Sequence, residues 1–65
     1  MAQQSLTFHG VKSAEQVNQI TTALMMLEGV DSAEVGRYGA EVDGRVKREA
    51  LIKAVEKLKL GIKVT

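Results

Sequence analysis

The sequence predicts an α+β domain with the element order β-α-β-β-α-β. Three observations carry that prediction. Apolar residues alternate with period two in several short stretches, recur every three to four positions in two longer ones, and glycines punctuate the boundaries. At 65 residues the chain has room for one domain, residues 1–65, and not for a second.

In chain order, Ser5 to His9 alternates, with Leu6 and Phe8 facing one way and Ser5, Thr7 and His9 the other. That is a half-buried strand, ended by Gly10. Ser13-Ala14-Glu15-Gln16 then fits a capping box, with Ser13 accepting from the Gln16 amide and Gln16 reaching back. Val17, Ile20, Leu24 and Leu27 form a narrow helical stripe beside Ala23, and Gly29 supplies a left-handed residue to stop the helix. Met25 and Met26 lie near its end; adjacent residues do not share a face, so one is expected in the core and the other in solvent.

Val30 to Val35 and Ala40 to Asp43 read as a hairpin about Gly36-Arg37-Tyr38-Gly39. A second helix is expected from Lys47 to Lys59, with Ala50, Leu51, Ala54, Val55 and Leu58 on one face and Gly61 as its breaker. Ile62 to Thr65 is a short last strand. Two right-handed crossovers interleave these elements into a ferredoxin-like sandwich: a four-stranded antiparallel sheet with both helices on one face. The second and fourth strands are its edges, guarded by Glu34 and Lys63, and self-association through them would make a weak homo-oligomer of an otherwise monomeric chain.

Composition narrows the functions. The chain is 45% apolar and 26% charged, as in soluble globular proteins. It has no cysteine, which excludes a disulfide scaffold, a thiolate metal site, a cysteine nucleophile and a redox pair. No apolar run approaches the ~18 residues of a membrane span, and the first dozen residues lack a secretory pattern, so a cytoplasmic protein without membrane insertion is expected. Net charge is +1, unevenly spread. Up to Gly44 two cations face six carboxylates (2 − 6 = −4), and from Arg45 onward seven cations face two (7 − 2 = +5). A nucleic-acid partner is not expected, because the exposed central-strand positions Ser5, Thr7, His9, Glu41 and Asp43 lack stacking aromatics. Nor is an enzyme: there is one histidine with no partner at a recognisable spacing, and Gly36-x-x-Gly39 is a hairpin turn and not a phosphate loop.

The stretch from Leu6 to Gln16, a strand running through Gly10 into a helix, resembles the opening of heavy-metal-associated domains, where the strand leads into Gly-Met-x-Cys-x-x-Cys. Ile20-x-x-Ala23-Leu24-x-x-Leu27-x-Gly29-Val30 is similar to that family's helix-to-strand segment, and Leu51-Ile52-Lys53-Ala54-Val55 to its second helix. The family comprises copper chaperones, mercury-binding proteins and N-terminal domains of metal-pumping P-type ATPases, whose chemistry lies in the two cysteines. Here Gly10 is kept, Val11 stands at the Met position, and Ser13 and Gln16 stand at the Cys positions. Cuprous and mercuric ions need soft thiolates, which a hydroxyl and a neutral amide do not replace. The segment from Lys57 to Gly61 also departs from the family's Gly-aromatic turn.

The resemblance therefore implies a degenerate heavy-metal-associated domain: a non-catalytic docking module with no cofactor. Its expected partner is an acidic protein domain, such as a metal-ATPase domain or another heavy-metal-associated domain, met through Lys12, Arg48, Lys53 and Lys57. The alternative is chaperone-like binding of a transition metal by other ligands, with His9 and Glu15 nearest and Glu41 or Asp43 across the sheet from His9.

Overall fold

The predicted alternations become β1 (Gln3–His9), β2 (Val30–Val35), β3 (Gly39–Gly44) and β4 (Lys63–Val64), and the helical stripes become α1 (Ala14–Met25) and α2 (Arg48–Glu56). These elements come from a computed structural model that describes residues 3–65; Met1 and Ala2, the first two residues of the expected domain, lie outside the described residues. The sheet order is β2-β3-β1-β4, antiparallel at every pairing, so β2 and β4 are the edges as expected.

Period-two geometry places Leu6 and Phe8 of β1 and Ala40 and Val42 of β3 on the helix side. They meet Ile20 and Leu24 of α1, Leu51 and Val55 of α2, and Ile62 before β4. No polar side chain is buried among the described residues, so the core holds together by aliphatic contact and one ring. Each large apolar side chain taken fully from water contributes roughly 1.5–3 kcal/mol.

Both helices are shorter than their glycines suggest. The α1 ladder ends at Met25; the Met26 N–H still reaches Thr22 O, but the Leu27 N–H bonds Leu24 O at 3.2 Å in a tighter turn. Leu27 thus packs against the core from outside the helix, and Gly29 (φ +94°) directs the chain into β2 without stopping α1. Helix α2 ends at Glu56, where the Leu58 and Lys59 N–H groups bond three residues back and Lys59 itself is left-handed (φ 54°). Gly61 lies in the loop beyond. At the other end β1 starts earlier than its clear alternation, at Gln3. The β4 strand is brief, but Thr65 extends its pairing by exchanging both backbone bonds with Thr7 at 2.9 and 3.0 Å. Met25 and Met26 are both exposed, at 46% and 81%; neither fills the core, because α1 fully buries only Ile20 and Leu24.

The hairpin carries a bulge that the sequence does not announce: Val30 pairs with Gly44 and Ser32 with Asp43, leaving Asp31 between. Gly44 has φ +143°, and a Cβ there would collide with the Gly29 carbonyl oxygen. Gly44→Ala is accordingly expected to destabilise the domain by about 1–3 kcal/mol. A thermal melt should show a midpoint lower by at least ~4 °C. Gly36→Ala, whose Cβ would meet Gly39 O at an ordinary 3.8 Å, should stay within ~0.5 kcal/mol of the parent.

Candidate functional site

The loop from Gly10 to Ser13 joins β1 to α1 and holds the positions where the sequence pattern points to a site. Gly10 turns it with φ +102°, and a Cβ there would press to 3.3 Å on Gly61 O, so this loop lies directly against the α2–β4 loop. Ser13 is extended (φ −152°, ψ 161°), as a helix-capping residue should be. Its Oγ accepts from the Gln16 N–H at 3.3 Å, and the Val17 N–H bonds Ser13 O at 3.3 Å.

The return bond differs from the expected box. Gln16 Oε1 accepts from the Lys12 N–H at 2.8 Å, one residue ahead of the cap, where a standard box would close on Ser13 itself. The bond therefore spans the loop as well as the helix terminus. Glu15, exposed in the first turn, adds a carboxylate where the helix dipole favours one. Ser13 Oγ and Gln16 Oε1 each hold a backbone N–H, and both are hard oxygen donors. They do not fit a cuprous or mercuric ion.

His9 is exposed at the end of β1, with Lys63 opposite it on β4. The expected neighbours are elsewhere: Glu41 opposes Ser5 and Glu34, and Asp43 opposes Gln3 and Ser32. The cause is strand length, since the β1–β3 pairing stops at Thr7 and Gly39, where the hairpin turns. Among the described residues no three His, Cys, Asp or Glu side chains gather as a metal-holding group.

The four candidate docking cations divide. Lys12 is exposed in the loop, its N–H tied to Gln16. The Arg48 guanidinium donates to Ser5 O at 2.6 Å. That carbonyl faces the β4 side of β1, past the Thr7–Thr65 pair, so Arg48 covers a backbone acceptor that the sheet leaves open. Lys53 and Lys57 are exposed on the outer side of α2 and flank a shallow groove with Ala23, Met26, Ala50 and Ala54. Sequence reasoning missed both this groove and Gln4, whose side chain donates to Val46 O just ahead of α2. A signal for Gln4 exists, because it shares the apolar phase of β1 with Leu6 and Phe8.

Ser13→Ala removes the cap acceptor and is expected to cost ~1 kcal/mol. A melting midpoint about 4–8 °C lower would register that loss. Gln16→Leu should speed hydrogen exchange at the Lys12 amide while leaving that of Leu24 protected.

Compared with known proteins, no family model and no curated protein matches the chain. Solved structures do. The chain is similar to the CopZ metallochaperone at 23% identity and a TM-score of 0.88, covering 98% of this chain and 100% of that one. It is similar to a copper-binding domain from HMA7, a P-type ATPase, at 26% identity and a TM-score of 0.87, covering 100% and 92%. The N-terminal domain of a potential copper-translocating P-type ATPase from Bacillus subtilis, solved in its Cu(I)-loaded state, gives 26% identity and a TM-score of 0.84, covering 97% and 82%. The chain thus has the ferredoxin-like fold of heavy-metal-associated domains, with no cysteine in it and with Ser13 and Gln16 where the resemblance sets the two thiols.

Proposed function

We propose that this chain is a non-catalytic, cytoplasmic docking module of the heavy-metal-associated type, which keeps the scaffold and has lost the thiolate site. Its partner is an acidic protein domain, such as a metal-ATPase domain or another heavy-metal-associated domain. One observation carries the proposal: the two side chains at the ligand positions are engaged in closing the loop on α1, through Gln16 N–H to Ser13 Oγ and Lys12 N–H to Gln16 Oε1. The likeness to a metallochaperone and to two domains of copper P-type ATPases supports the family connection. Lys53 and Lys57, one helical turn apart beside an apolar groove, support a surface that selects acidic groups.

Metal carriage by His9 and Glu15 is the weaker reading. A zinc site needs at least three protein ligands, and no such group gathers among the described residues. Catalysis lacks support as well, since the one histidine is exposed at the end of β1, opposite a lysine. No helix is long and apolar enough to cross a membrane among the described residues.

Titration with Cu(I) under reducing conditions, followed on backbone amides, tests the loss of the site. The amides from Val11 to Gln16 should show no saturable shift, and micromolar or tighter binding there would overturn the proposal. Titration with an acidic ATPase N-terminal domain tests docking. The Lys53 and Lys57 amides should shift, the shifts should weaken with added salt, and Lys53→Glu with Lys57→Glu should abolish them. An unresponsive α2 would contradict it.

A further inference from the structure

Strand β2 is an edge of the sheet, and its outward backbone is open. The Gly36 N–H bonds Gly39 O at 2.8 Å, which sets the phase of the hairpin. Stepping back by two, Glu34 and Ser32 turn their N–H and C=O groups toward β3, while Val35 and Ala33 turn theirs away from it. Among the described residues no backbone group bonds Ala33 or Val35 from the outer side. The strand runs six residues, against two in β4, so β2 is the edge long enough to take another strand. Ala33 and Val35 are half-buried against the core, whereas Ser32 and Glu34 are exposed on the outer sheet face.

The charges around this edge say which strand it suits. Glu34 lies directly opposite Glu41, a like-charge pair that costs stability unless a cation answers it. Glu41 accepts from Gln3 Nε2 at 3.4 Å and Asp43 from Ser32 Oγ at 3.3 Å, so both donors are neutral. Gly36 and Gly39 have no side chains, and a shallow hollow beside them is lined by Ser5, Glu34 and Glu41. Helix α1, which packs against β2, carries Glu15 and no lysine or arginine. The cations on this side stand at the two ends of the hairpin: Arg37 in its turn, and Arg45 beyond β3, whose N–H bonds Gly29 O. Between them the edge is acidic, with Asp31 exposed at the bulge.

We propose that β2 takes one more antiparallel strand, supplied by a partner protein whose extended segment alternates basic and apolar residues. The partner's backbone pairs with the open groups of Ala33 and Val35. Its basic residues stand opposite Ser32 and Glu34. One ammonium group meets Glu34 at the hollow; the other passes over the short Ser32 side chain toward Asp43. Its apolar residues continue the half-buried row of Ala33 and Val35. Pairing β2 with the β2 of a second copy would instead bring two acidic edges together, so Glu34 and Asp31 discourage that contact and favour a cationic strand. This surface lies apart from α2, and the inference does not rest on the docking proposal above.

The probe is a short peptide of alternating lysine and valine with both ends capped, and its glutamate–valine counterpart is the control. Each is titrated into the full chain and followed on backbone amides and by hydrogen exchange. The lysine peptide should give saturable shifts along β2 and slow exchange at Ala33 and Val35, leaving Ser32 and Glu34, already bonded to β3, unchanged. The glutamate peptide should not bind. Glu34→Lys should weaken the lysine peptide roughly tenfold or more. Ala33→Pro removes an N–H that faces away from β3, a position where an edge strand tolerates proline, and should abolish the protection of Val35. Amide spectra check that both variants stay folded, and Glu34→Lys alone decides if the proline variant does not. No saturable shift up to about 1 mM, shifts without protection of Ala33 and Val35, or equal binding of the glutamate peptide overturns the inference. Protection of those two amides in the free chain that grows with its concentration also overturns it, in favour of a second copy. The response of Lys53 and Lys57 to an acidic domain is a separate measurement, so either proposal can fail without the other.

Discussion

A helix start leaves backbone N–H groups without partners inside the helix, and something outside must accept from them. At the start of α1 that need is met by Ser13 Oγ, which takes the Gln16 N–H, while Gln16 returns its own side-chain oxygen to Lys12. The pair fixes the loop from Gly10 to Ser13 at both ends: one bond belongs to the helix, the other to the chain leading into it. Gly10 and Gly61 bring this loop against the one that follows α2, so a constraint on one terminus bears on two connections. A metal site at the same place would have to satisfy or displace those bonds.

The fold supplies the position and the two residues supply the chemistry. Antiparallel pairing of β1 with β3 and β4, and an aliphatic core seated beneath both helices, put the start of α1 at one rim of the sandwich. The similar metallochaperone and ATPase-domain structures share that fold. What differs is the donor set: a hydroxyl and an amide are hard, neutral and directional, suited to backbone N–H groups, whereas thiolates suit soft monovalent ions. One scaffold can thus hold its loop by hydrogen bonding where another would hold an ion.

Much of this was legible in the sequence, for identifiable reasons. Period-two and helical alternation depend on which face meets the core, and that pattern survives in Leu6 and Phe8, in Ile20 and Leu24, and in Leu51 and Val55. The cap was legible because Ser13 and Gln16 act across three residues. Long-range relations were not. The neighbours of His9 depend on where the hairpin turns, which sets Lys63 beside it and leaves Glu41 beside Ser5. Helix ends were misplaced because Gly29 and Gly61 mark loop geometry, while α1 and α2 close earlier through tight turns at Leu27 and at Leu58 and Lys59. Arg48 looked like a free surface cation and instead covers Ser5 O, a backbone vacancy that only the lengths of β1 and β4 create. The exposed Met26 and the groove beside it follow from the spacing of two helices, which no local pattern encodes.

The most direct measurement concerns the donor exchange itself: cuprous binding by a Ser13→Cys, Gln16→Cys variant in reducing buffer, followed on backbone amides. If hydrogen-bonding side chains occupy an intact metal-presenting scaffold, the variant should bind Cu(I) where the parent does not. Shifts should be confined to the Val11–Gln16 loop, and the metal-free variant should exchange its Lys12 and Gln16 amides faster than the parent. A folded variant that binds Cu(I) no better than the parent would contradict the account.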